Sequence, residues 1–148
     1  MSESKSFILC NEYEGVILKD KRNGATHDLG NHYGDPKVGL ISPDENWFVT
    51  AGEGVLYFDF ERGLREYLRE GFKDNFGKDG CAFIHSARIE SSDSVRILID
   101  PWSEHASTWL LSISSLTVTK INDGPYMDNK PWQEEIEYCK GVESAVDS

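Results

Sequence analysis

Residues 41–60, ISPDENWFVTAGEGVLYFDF, decide the fold. Pro43 and Asp44 stand where a type I turn favours proline and a short polar side chain. Two runs of aromatic and β-branched residues follow, 47–51 and 55–60, and Gly52 and Gly54 permit a tight bend between them. The GxG formed by those glycines lacks a third glycine and leads into a strand, so it offers no helix N-terminus to hold a phosphate. The stretch is a hairpin with its turns written into it.

The same grammar recurs outward from this hairpin. Short apolar runs rich in Val, Ile and aromatic residues alternate with Gly, Asn and Asp, which predicts strands at 6–10, 15–19, 38–41, 47–51, 55–60, 81–90, 94–100, 108–112 and 116–121. Asn23-Gly24 marks a hairpin, because both central positions of a type I′ turn take positive φ. Turns at hairpin spacing argue for consecutive antiparallel strands rather than βαβ units. Two segments read as helices. In 60–72, FERGLREYLREGF, Phe60, Leu64, Tyr67 and Leu68 recur at helical spacing and charged residues fill the other face. In 128–141, Pro131 stands at a first-turn position, acids follow in the first turn, and Lys140-Gly141 supplies a stop. The expected class is mainly β (α+β), an antiparallel meander or sandwich of about eight to nine strands with one mid-chain and one C-terminal helix. Residues 1–148 read as a single domain whose last residues, 142–148, are a frayed tail.

A chain of 148 residues with 11% aromatic content can bury a core without disulfide or metal staples. The apolar run at 7–10 is too short for a signal-peptide core or a membrane span, which predicts a cytoplasmic protein. Cys10, Cys81 and Cys139 are odd in number, far apart and without CxxC spacing, so they read as free buried thiols. The net charge of −11 opposes nucleic acid and anionic membrane as partners, since phosphate contacts need clustered Lys and Arg. It favours a basic protein. Residues 1–60 hold ten acids against five bases and 121–148 hold seven against two, so adjacent chain ends would present one acidic face.

Three stretches hold chemically competent side chains. THDLGNHYGD, 26–35, gathers His27, Asp28, His32 and Asp35, but at a spacing that matches no established zinc pattern. Cys81 and His85 lie four apart on an expected strand, roughly 13 Å at strand rise, too far for a thiolate–imidazole pair. The richest is LIDPWSEHASTWLL, 98–111, with Asp100, Trp102, Ser103, Glu104, His105 and Trp109 after a strand end. A triad is defined by geometry across the fold, and no GxSxG elbow is present. A loop offering Trp among acids also suits a binding surface, because Trp anchors supply much interface energy and charges steer the partner.

ISPDENWFVTAGEGVLYF and VRILIDPWSEHASTWLLSI resemble blade fragments of β-propellers, in which a Ser-Pro-Asp turn leads into a strand bearing an aromatic residue. A propeller uses four-stranded blades in numbers that nine strands cannot supply, which predicts an isolated hairpin here. In overall character the acidic, β-rich chain resembles the immunity proteins of bacterial polymorphic and contact-dependent inhibition toxins. That resemblance implies a stoichiometric, non-enzymatic module that binds and neutralises a basic toxin domain, with no cofactor and no metal. The expected contact residues are Trp102 and Glu104 in the loop, Asp44, Glu45 and Glu53 around the hairpin, and Glu134, Glu135 and Glu137 on the C-terminal helix. The competing expectations are a small hydrolase or metal-dependent enzyme using the 100–105 loop, and a structural or regulatory subunit of a larger assembly.

Overall fold

A computed structural model describes residues 1–68, 72, 83–124 and 129–140. Its strands are β1 (Ser2–Glu3), β2 (Phe7–Glu12), β3 (Gly15–Asp20), β4 (Thr26–Asn31), β5 (Val38–Ile41), β6 (Trp47–Gly52), β7 (Gly54–Asp59), β8 (Leu64–Leu68), β9 (Ile84–Ser91), β10 (Ser94–Ile99), β11 (Ser107–Ser112) and β12 (Thr117–Asp123), followed by helix α1 (Lys130–Cys139). They form three four-stranded antiparallel sheets, β1–β4, β5–β8 and β9–β12, each a meander in chain order. The mainly β class is as expected.

The count of twelve strands exceeds the nine expected, and each addition has a physical reason. β1 is two residues long, below the reach of any periodicity. β4 carries the polar sequence THDLGN and buries only Leu29 fully. β8 lies where a mid-chain helix was expected. Leu64 and Leu68 pack against the core, and a spacing of four puts two side chains on one face of a strand as well as of a helix. Gly63, at φ 62°, makes the β7–β8 turn, and the ladder runs from Asp59↔Leu64 to Val55↔Leu68. Residues 69–71, the remainder of that expected helix, and the expected strand start at Cys81 lie outside the described residues. The stretch 41–60 is therefore not an isolated hairpin. It is the middle of a four-stranded unit that occurs three times.

The sheets stack face to face. Phe7, Leu9, Val16, Leu18 and Leu29 of the first sheet meet Phe48 and Leu56 of the second. Trp47, Val49, Val55 and Tyr57, on the other face of the second sheet, meet Ile84, Val95, Ile97, Trp109 and Leu111 of the third. Every residue of β6 is buried, which removes the polar alternation a half-exposed strand would show. On the far face of the third sheet, Trp132, Ile136 and Cys139 of α1 pack on Leu98 and Ala106. Asn129 caps α1 by accepting from the Trp132 amide at 2.9 Å, with Pro131 in the first turn as expected. The expected acids are absent from that turn. The N-terminal sheet and α1 thus lie on opposite sides of the stack.

Candidate functional site

Contacts between the sheets define two ends of the stack. At one end, the Ser42–Asn46 turn meets the β1–β2 turn, where Glu45 accepts from the Ser4 hydroxyl and, at 2.9 Å, from the Ser6 amide. At the same end Arg62, in the β7–β8 turn, donates to the Ile113 carbonyl at 3.0 Å in the β11–β12 turn. At the other end, the His32 imidazole approaches the Glu53 carbonyl at 3.1 Å and the Thr50 hydroxyl at 2.8 Å, and Glu53 bridges to Phe83 at the start of β9. Tyr13, Tyr33, Phe83 and Trp102, exposed by 80%, 77%, 56% and 54%, all belong to this second end. These are the four most exposed aromatic side chains among the described residues.

The expected contact residues divide between places. Asp44 and Glu45 sit at the first end and serve the turn. Asp44 accepts from the Ser42 hydroxyl at 2.6 Å and from the Asn46 amide at 3.1 Å, and its pKa is lowered chiefly by the Ser42 bond. Glu45, at φ 61°, has its pKa lowered first by the Ser4 hydroxyl. Glu53 is at the second end but only 3% exposed, and its carboxylate accepts from the Tyr67 hydroxyl at 2.7 Å. On α1, Glu135 pairs with Arg96 at 2.7 Å, while Glu134 and Glu137 face solvent. Trp102 and Glu104 remain together and exposed.

The Trp102 loop is rigidly built. Asp100 takes φ 38°, Ser103 donates to its carbonyl at 3.0 Å, and the His105 amide donates back to the Ser103 oxygen at 2.9 Å. Beneath, the Trp132 indole donates to the Pro101 carbonyl at 2.6 Å, tying the loop to α1. His85 stands edge-on to Trp102, ring centroids 5.2 Å apart, and burial, then Lys140 and Lys37, lower its pKa. Trp109, which the sequence places beside Trp102, is instead core.

The residues considered for catalysis or metal binding are dispersed. Ser103 spends its hydroxyl on the turn. His105 Nε2 lies 3.6 Å from Glu104, while His27 packs on Phe60 and His32 is buried between sheets. Burial holds the His32 pKa below its usual value, despite the opposing Glu53 carbonyl and carboxylate, so the ring is neutral at pH 7. Strand alternation turns Asp28 away from His27, and no group of three metal-ligating side chains forms among the described residues. Cys81 lies outside the described residues. No helix among the described residues is long and apolar enough to cross a membrane.

No protein family and no curated protein matches the chain in sequence. In structure it is similar to the extracellular domain of a hybrid two component system from B. thetaiotaomicron, at TM-score 0.52 and 10% identity over 82% of this chain and 17% of that one. It is also similar to the β-propeller domain of the Trilobed protease from Pyrococcus furiosus, at TM-score 0.51 and 15% identity over 78% of this chain and 36% of that one. The chain spans a minor part of either structure. The likeness is one of fold: the three meander sheets are arranged as propeller blades.

Proposed function

We propose that the protein is a stoichiometric binding module that takes a basic protein partner at the second end of the stack, with Trp102 as anchor and Glu104 beside it. The observation that carries this is the Trp102 loop itself: a 54%-exposed indole held in place by His85, the Ser103 bonds and the Trp132–Pro101 bond. A large aromatic already fixed in position loses little freedom on docking, so more of its buried area appears as affinity. The charge of −11 supplies long-range steering toward a cationic surface.

The specific form we favour is an immunity protein that neutralises a cognate bacterial toxin domain in the cytoplasm, for which the acid excess is the supporting feature. Capture from the native host on immobilised protein, eluted across a salt gradient, tests it. One strongly basic protein that stays bound until high salt would support the assignment. Retention of neutral or acidic proteins alone, or of none, would contradict it.

A further inference from the structure

A second feature, made of different residues, lies on the first sheet. The second sheet is covered on both faces and the third carries α1, whereas no described element packs on the outer face of β1–β4. That face holds an open cleft of about 400 Å³ lined by Glu12, Tyr13, Gly15, Ile17, Thr26, Asp28 and Asn31. Its shape follows from the ladder. Ile17 pairs with Asp28 and Gly15 with Asn31, and a bulge between the two pairs takes up Leu29, so Asp28 and Asn31 open on the same side. Gly15 leaves the floor hollow: a Cβ there would stand 3.1 Å from the Asn31 Oδ1.

Tyr13 forms the lip. It occupies the first position of the two-residue β2–β3 turn at φ 55°, a place where a bulky residue is strained and Gly, Asn or Asp is normal. At 80% exposure its ring gains little packing in return. The turn is nevertheless fixed, since Glu14 accepts from the His32 amide at 2.9 Å through its carbonyl and from the Gly34 amide at 2.5 Å through its carboxylate. Backbone strain retained at an exposed aromatic points to use of the ring. The cleft lining has two carboxylates, Glu12 and Asp28, and no base. Lys19 borders the cleft, pairing with the lining residue Thr26 on the same strand face as Ile17, and makes no ion pair among the described residues.

We propose that this cleft is a docking site for an arginine side chain of another protein, its guanidinium plane stacked on Tyr13 and its N–H groups donated to Asp28 and Glu12. A planar cation with an apolar stem fits an aromatic lip, an Ile17 floor and paired carboxylates better than a compact ammonium does. The cleft is lined by residues other than Trp102 and does not depend on the function proposed above.

The test is a titration of the ¹⁵N-labelled protein with N-acetyl-argininamide at physiological salt, followed by amide chemical shifts, with N-acetyl-glutaminamide as the neutral control. Expected are saturable shifts centred on 12–17 and 26–31, absent with the control. The Glu12→Gln, Asp28→Asn double variant should weaken binding about tenfold or more, since it removes both charged acceptors. Trp102→Ala should leave it unchanged. Tyr13→Gly should raise Tm by relieving the turn, yet weaken binding about threefold by removing the stacked ring. Shifts scattered over the acidic surface without saturation, equal shifts with the neutral amide, or affinity unchanged in the double variant would overturn the proposal.

Discussion

Asp59, 6% exposed, holds Arg62, which bridges the second and third blades. Burial alone would raise its pKa, but the Tyr57 hydroxyl at 2.6 Å and the Arg62 amide and guanidinium at 3.0 and 3.1 Å more than offset this and hold the carboxyl below the usual range. Arg62 then reaches across to the Ile113 carbonyl. Asp59→Asn should cost about 1.5–3 kcal/mol, the worth of hydrogen bonds to a charged group, read as a fall in Tm or in the urea midpoint. An unchanged midpoint would show that the cluster does not fasten the blades. Stability also depends on pH through His32. Because folding lowers the His32 pKa, the unfolded chain binds more protons, so stability is full above the unfolded value of about 6.5 and is lost as pH falls through the folded value. His32→Gln should flatten that part of the stability profile in urea titrations from about pH 7 to 5; an unaltered slope would assign the dependence elsewhere. At this scale the sequence showed which residues carry chemistry, not where each is spent. Glu53 and Trp102 look equally available in the chain, and only the fold buries one and exposes the other.

Strands and turns were legible where one physical signal dominated. The Pro43–Asn46 turn forms as its residues dictate, with Ser42 Oγ accepting from the Asn46 and Trp47 amides at 3.0 and 3.1 Å. Asn23-Gly24 also marks a hairpin, yet only Gly24 takes positive φ and the loop closes through Asp20 and Ala25. The Arg22 side chain bonded to Asp20 holds that carboxyl at a pKa of about 2. Legibility failed at β8, where two periodicities coincide at Leu64 and Leu68, and at β4, where the polar sequence conceals a strand covered on one face only. The Trp132 indole of α1 is seated against Gly124. A Cβ at Gly124 would lie 2.2 Å from the Trp132 ring, so Gly124→Ala must displace the indole that bonds Pro101. Overpacking of this kind costs about 1–3 kcal/mol and should shift tryptophan fluorescence together with Tm. Unchanged fluorescence and Tm would mean that α1 is not seated by this contact.

In the whole molecule, three propeller-like blades bring to one end side chains that are distant in the chain: Tyr13 and Tyr33 from the first blade and its exit, Phe83 and Trp102 from the third. The 41–60 stretch resembles blade fragments, but with nine strands recognised the count fell short of repeated four-stranded units and the stretch read as an isolated hairpin, which the three sheets overturn. The convergence of aromatics was not visible, because it depends on which ends of the blades coincide, and that is fixed by long-range bonds such as His32 to Glu53 and Arg62 to Ile113. Acidity alone did not locate the proposed binding surface either, since Asp44, Glu45, Glu53 and Glu135 are engaged within the fold.

Placement of the partner at the Trp102 end is open to parallel capture from the native host, using as baits the wild-type protein, Trp102→Ala with Glu104→Lys at the second end, and Glu137→Lys on α1, with bound basic protein quantified across a salt gradient. Wild type and Glu137→Lys should retain the same basic protein to high salt, and the Trp102, Glu104 bait should lose at least about tenfold, as expected for a central aromatic anchor. Equal retention on all three baits would contradict the placement of the partner at the Trp102 end.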